Sequence, residues 1–328
     1  MVIHGNAKKA MRMLVEKSKG GILEMNAENQ KLFGKKHPAA VAPPTEILLT
    51  GPVPDTPHSV IFDAISGELI KKCALRTEGA AGVSQLDDQT WRKMVSSFKK
   101  TSVGLCNAVA HIARKLAREF VDPSGLEALL ANRGIPLNKN PGLRPIGVGE
   151  ILRRIIGKAI LSVVGADVQK AVGPLQLCAG QSAGVEAAVH AMRQFFGADD
   201  TDGILLIDAD NAFNRVNRAA ALWNVQYVCP PLKFALINTY RSPTRIFVNG
   251  KTFVEFSSQE GTTQGCPLAM AMYAIALAPL VAKAKSRSRQ VWFADDATGC
   301  DKADALRKWY DFLLEEGPSY GCPARKMF

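Results

Sequence analysis

Three carboxylates in the sequence have the type and placement to hold divalent cations. Asp208 closes the apolar run GILLID (203–208), and Asp295 and Asp296 sit side by side in VWFADDATGC (291–300). Adjacent like charges repel, and a carboxylate drawn out of water tends to neutralise by raising its pKa. Two arrangements relieve that conflict. In one, the Asp pair forms a solvated turn between strands and Asp208 is a cap. In the other, all three converge on divalent cations, and two cations about 3.5–4 Å apart suit in-line phosphoryl transfer. Mg²⁺ matches such a set, because it takes a few carboxylate oxygens and completes its shell with water and substrate phosphate.

The elements around these residues must bring them together. GILLID is a short strand, followed by helical patterns at about 216–228 and 231–241. TRIFVNGKTFVEF (244–256) is a hairpin, with Asn249-Gly250 as its turn. A long apolar helix over 267–285 follows, opened by Pro267. The second hairpin, 291–300, carries the Asp pair at its tip, and an amphipathic helix over 302–316 closes the pattern. Trp309, Phe312 and Leu313 of that helix are expected to pack on the sheet. Upstream, 87–131 is helical, 132–149 reads as two short strands around a turn, and 150–172 and 182–196 are helices. This order predicts an α+β fold in which a small antiparallel sheet packs on helices. Residues 1–40 are Lys-rich, and Pro-rich connectors follow at 37–46 and 50–59. Residues 1–60 therefore read as a loosely attached arm with some helix.

Composition narrows the partners. The 328 residues are 47% hydrophobic and 22% charged, a globular balance with room for roughly two domains. A net charge of +11 and a pI near 9.4 favour polyanionic partners such as nucleic acid, nucleotides or acidic membrane. The seven cysteines are scattered without C-x-x-C spacing, as expected of reduced thiols in an intracellular protein, nuclear or cytoplasmic. The five histidines show no metal-ligand spacing. No apolar signal-peptide core marks the N-terminus. PLAMAMYAIALAPLV (267–281) is too short for a membrane span and reads as a buried core helix, so no membrane partner is expected.

In order along the chain, LLIDADNAFNRVN, EGTTQGCPLAM and FADD resemble motifs A, B and C of the reverse transcriptase palm. The likeness is to retrotransposon enzymes, nearer to the non-LTR type than to the retroviral one. IPLNKNPGLRPIGVGEILRRIIGKAI resembles the finger motifs of that family, and GPSYGCPARKM is similar to the motif D stretch that ends in a lysine. The likeness spans roughly residues 79–328. It departs from the non-LTR pattern at Cys266 and in PLAMAM after it. It implies a right-hand polymerase: a basic, Pro-containing N-terminal arm over 1–78, a mostly helical fingers region over 79–202 with a strand pair near 133–148, and a palm over 203–328. The family continues into a thumb, which would be absent from a chain ending at Phe328, and the sequence is expected to be a fragment or truncated copy.

The resemblance assigns roles. Asp208, Asp295 and Asp296 would be catalytic and would hold Mg²⁺, or Mn²⁺ in its place, with the Ala209 carbonyl as a further ligand. Arg144, Lys139, Asn211, Phe213, Gln264, Gly265 and Lys326 would contact the incoming nucleotide. Phe213 would be the steric gate against a 2′-OH, and Lys326 would lie by the leaving pyrophosphate. Arg153, Arg154 and Lys158 would track template phosphate, although a solvated helix face explains them equally. The implied activity is RNA-directed DNA synthesis of a retroelement, with an RNA template, a DNA or RNA primer and dNTPs. Two other readings stand beside it. One is an inactive remnant that at most binds nucleic acid. The other is an RNA-dependent RNA polymerase, which Phe213 argues against.

Overall fold

The computed structural model describes residues 21–55, 59–139, 142–248, 254–263 and 265–326, the last three by their main chain alone. The described residues open with α1 (Ala27–Lys35), started by Asn26, whose side chain accepts from the Asn29 N–H. Three helices then pack together: α2 (Gly67–Leu75), α3 (Asp88–Ser96) and α4 (Lys100–Arg118). Ser66 and Asp87 cap the first two in the same way. The short α5 (Glu127–Leu130) leads into β1 (Asn132–Asn138) and β2 (Leu143–Gly149), then α6 (Ile151–Val172) and α7 (Gly184–Phe196). Next come β3 (Gly203–Ala209), α8 (Ala212–Arg215), α9 (Arg218–Val228) and α10 (Lys233–Tyr240). The chain continues through β4 (Thr244–Val248), β5 (Val254–Ser258), α11 (Pro267–Ala284), β6 (Gln290–Phe293), β7 (Asp296–Asp301), α12 (Ala303–Glu316) and β8 (Ala324–Lys326).

Helix α11 is apolar on nearly all sides and buried on nearly all sides, as a core helix must be. It packs against α6 and α9. The predicted core-helix role of this segment therefore holds, although by length and composition alone it could cross a membrane.

Among the described residues, two four-stranded sheets form, ordered β2-β1-β4-β5 and β6-β7-β3-β8. This corrects one expectation. The 244–256 hairpin does not extend the sheet of Asp208. It joins the upstream strands through a parallel pairing of β1 with β4. A small apolar core explains the choice: Phe33, Leu143, Ile246 and Val248 pack together there. The predicted Asn249-Gly250 turn lies outside the described residues.

The expectation of a loose N-terminal arm is also corrected for residues 21–50. The Leu23 N–H donates to the Pro136 carbonyl at 2.8 Å, and Asn138 donates back to Gly21 at 2.8 Å. Phe33 is fully buried against Phe256. Farther on, the indole of Trp223 donates to the Leu49 carbonyl at 2.8 Å. The anchors are single apolar residues and main-chain groups, spaced too irregularly to form a pattern.

The second sheet has helices on both faces: α12 on one, and α7 over β6 and β7 on the other, where Val291 and Cys300 are buried. Leu205, Ile207, Trp292, Ala297 and Gly299 point inward, and α12 lies across β7 and β3. Trp309 and Leu313 are buried there as expected, with Phe312 half-buried beneath the Arg287 guanidinium. Gly299 is needed, since a Cβ would lie 2.6 Å from the Trp309 ring. Gln290 pins this layer. Its Oε1 accepts from the Trp292 and Trp309 indoles at 2.8 and 3.1 Å, and its Nε2 donates to Ala284 and Ser288 carbonyls. Gln290→Leu would strand two buried indole N–H groups and should lower unfolding stability by about 2–4 kcal/mol in denaturant titration. A loss below about 0.5 kcal/mol, the size of an ordinary surface change, would contradict that role.

Candidate active site

On the opposite face of the sheet, Ile204, Leu206 and Asp208 alternate outward. The β3–β7 register sets Asp208 directly against Asp296. Side chains so paired have Cβ atoms about 4.5–5.5 Å apart, and like charges there destabilise the pair. Asp295 occupies the two-residue turn between β6 and β7, next to them. Burial pushes its carboxyl above the usual carboxylate range, and Asp296 and Asp208 push it further, while Arg144 acts in the opposite sense. The Asp296 carboxyl is raised as well, by burial and then by Asp208. Three acids thus share one sheet edge, and their charges are not fully compensated by protein groups.

Asp208 and Asp295 border a cleft of about 940 Å³. Across it stand Lys139 and Arg144 from the β1–β2 hairpin, with Lys35 and Lys36 from the end of α1. The cleft is therefore acidic at its floor and basic along one wall. Asn211, in a left-handed conformation at the start of α8, reaches that wall. Its Nδ2 donates to the Lys36 carbonyl at 2.9 Å. Ala209 also lines the cleft, as does Arg215, which pairs with Asp210 at 3.6 Å.

Phe213 enters the cleft from α8 with its ring stacked on Tyr273 of α11, centroids 4.6 Å apart. Its main chain is gripped by the loop after β5. The Thr262 N–H donates to the Phe213 carbonyl, and a Cβ on Gly261 would lie 2.2 Å from that oxygen. The loop is tied down by Arg218, which donates to the carbonyls of Ser258, Glu260 and Gly261 at 3.0, 2.7 and 2.9 Å. Burial pulls the Arg218 pKa down to about 10. Glu260 in turn accepts from the Arg218 and Val41 N–H groups, both at 2.8 Å.

The cleft thus gathers Asp208, Ala209, Asn211, Phe213, Arg144, Lys139, Gly265 and Asp295. Gly265 has φ of +88°, a conformation that suits glycine. Gln264 and the Lys326 side chain lie outside the described residues; the Lys326 main chain pairs opposite Ile207 in β8. Arg153, Arg154 and Lys158 are a correction. Arg153 is 5% exposed, donates to the Leu130 carbonyl at 3.2 Å and lies over the Tyr240 ring. Arg154 donates to the carbonyls of Glu78, Ala80 and Gly149, and Lys158 to that of Arg76 at 3.1 Å. Arg153 fastens α6 to α5, and Arg154 and Lys158 fasten it to the 76–80 segment and β2, instead of facing a template. Lys35, Lys36 and Tyr273 were not singled out from sequence. The two lysines lie in a stretch without motif, and Tyr273 lies in a helix that reads simply as core.

Among the described residues, no three His, Cys, Asp or Glu side chains form a ready-made metal cage. Mg²⁺ does not need one, since one or two carboxylates with water and substrate phosphates suffice. The facing Asp208 and Asp296, with Asp295 beside them, offer hard oxygen donors and an unbalanced negative charge, which fits a cation that arrives with its substrate.

The family model for reverse transcriptase (RNA-dependent DNA polymerase) matches residues 136–324. The chain belongs to the reverse transcriptase family. No curated protein matches it. The matched span holds all three acids, Arg144, Phe213 and the β6–β7 hairpin, whereas Lys35, Lys36 and the start of β1 precede it. Reverse transcriptases act on a nucleic-acid template and primer with nucleotide substrates and divalent metal ions. In metal-free buffer, Asp208→Asn should lower the pKa of Asp295 and of Asp296, because a like charge is lost, while burial holds each above the ordinary carboxylate value. Carboxyl NMR titration reads both, and unchanged values would separate Asp208 from the pair.

Proposed function

We propose that the chain is the RNA-directed DNA polymerase of a retroelement of the non-LTR type, with residues 79–202 as fingers and 203–328 as palm. The observation that carries this reading is the set of facing acids, Asp208 against Asp296 with Asp295 at the turn, under a basic wall. Asp208, Asp295 and the Ala209 carbonyl would hold two Mg²⁺ ions, and Asp296 would support them. Bound there, the cations would stabilise the negative charge on the attacking primer oxygen and the leaving pyrophosphate. Arg144 and Lys139 hold the triphosphate, Arg through its forked donors. Gln264 and Gly265 meet the nucleotide and its pairing partner, and Lys326 gives a proton to the departing pyrophosphate. Phe213, braced by Tyr273, fills the space that a 2′-OH would need. The RNA template and primer 3′ end run through the cleft beside Asp208.

Primer extension on poly(rA)/oligo(dT), with dTTP against UTP, tests the reading. Incorporation should favour dTTP, and Asp295→Ala should reduce it by about 100-fold or more, the scale of several kcal/mol of lost charge stabilisation. Phe213→Val should raise UTP use relative to dTTP roughly tenfold, since a steric contact of this size is worth about 1–3 kcal/mol. Equal use of UTP and dTTP by the wild type would favour an RNA polymerase. No incorporation, with Asp295→Ala unchanged from wild type, would mark a remnant that at most binds nucleic acid.

A further inference from the structure

The turn that carries Asp295 holds a conformation that its own sequence does not favour. Phe293 pairs with Asp296, so Ala294 and Asp295 form a two-residue loop. Ala294 has φ of +56°. Two-residue hairpin turns usually place glycine or asparagine where φ is positive, because a Cβ is strained there. Ala294 is also buried, so its main-chain groups cannot turn to water for partners.

Gln176 supplies both partners. Its Oε1 accepts from the Ala294 N–H at 2.9 Å, and its Nε2 donates to the Ala294 carbonyl at 3.2 Å. Gln176 is fully buried and lies far upstream of all three palm motifs, between α6 and α7. Its own main chain is fixed against β6. Leu177 donates to the Trp292 carbonyl at 2.8 Å, Trp292 donates to Leu175 at 2.7 Å, and Gln176 bridges Trp292 in parallel. The segment runs as a short extra edge on β6, and the Gln176 amide extends past the strand end to the turn.

We propose that Gln176 is a positioning residue of the active site: its amide clamps the Ala294 peptide groups in the left-handed conformation and so aims the Asp295 carboxylate beside Asp208. The consequence for metal binding rests on the proposed metal role of Asp208 and Asp295; the clamp itself does not. Methionine at 176 keeps the length and loses both bonds. Glycine at 294 accepts positive φ without help.

The test uses the full chain with Gln176→Met, Ala294→Gly, their combination and Asp295→Ala. Mn²⁺ binding is followed by electron paramagnetic resonance, folding by thermal melting, and turnover by primer extension. Gln176→Met should melt cooperatively, bind Mn²⁺ about tenfold or more weakly, as losing a supporting shell does, and lose kcat with little change in KM for dTTP. Adding Ala294→Gly should recover most of the Mn²⁺ affinity. Wild-type Mn²⁺ affinity in Gln176→Met would overturn the proposal. So would a loss that Ala294→Gly fails to relieve, since Gln176 would then serve the fold and not the turn. Amide exchange at Ala294 in the wild type needs no variant and decides the clamp if Gln176→Met does not fold. Slow exchange is expected, and exchange as fast as in an open turn would overturn it. If Asp295→Ala binds Mn²⁺ like the wild type, the metal reading fails, and Ala294 exchange still judges the clamp.

Discussion

Asp208 and Asp296 face each other across adjacent antiparallel strands, and the rest of the structure is arranged around that repulsion. Left to themselves, two carboxylates in such a pair would splay or take up protons. They are prevented from splaying by what lies beneath. β3 and β7 are pressed onto α12, with Trp292 and Trp309 pinned through Gln290. Burial first, and then that enforced proximity, raises the pKa values of Asp295 and Asp296. An arrangement that costs stability in isolation fits the proposed cation, and the basic wall of Lys35, Lys36, Lys139 and Arg144 suits the phosphates that would come with it.

A second layer of organisation runs through the loop after β5. Arg218, buried, gathers three carbonyls from that loop, and Glu260 ties the same region to Val41. The loop then grips the Phe213 main chain through Thr262, while Tyr273 supports its ring from below. Phe213 is therefore held directly by the loop after β5 at its main chain and by α11 at its ring, and the loop in turn by α9 and the N-terminal segment. The proposed role of Phe213, to exclude one hydroxyl, needs such support, because a mobile ring would exclude nothing.

Much of this was legible in the sequence where the signal is local. Helices α6, α7, α11 and α12 carry sustained apolar spacing, the β1–β2 hairpin announces itself by turn chemistry, and the β6–β7 hairpin by an acid pair after an apolar run. The acids could be found because strand ends and an Asp-Asp turn are short, readable patterns. Non-local choices left no such mark. Nothing in TRIFV states that it will run parallel to β1. Arg153, Arg154 and Lys158 look like a solvated helix face because the carbonyls of Leu130, Glu78, Ala80 and Arg76 that engage them belong to distant segments. The N-terminal segment docks through isolated residues such as Phe33 and through main-chain bonds, so its packing has no period to detect. Gln176 is a single amide in an irregular connection, and only its geometry against Ala294 distinguishes it.

The most direct measurement is anomalous diffraction from crystals grown with Mn²⁺, an RNA template, a DNA primer and a non-hydrolysable dNTP. Manganese density between the Asp208 and Asp295 carboxylates, with the nucleotide phosphates on the Arg144 side and the sugar against Phe213, is the expected result. Ordered nucleotide in the cleft with no manganese at these acids, or manganese bound only elsewhere on the chain, would contradict the assignment of this sheet edge as the metal site.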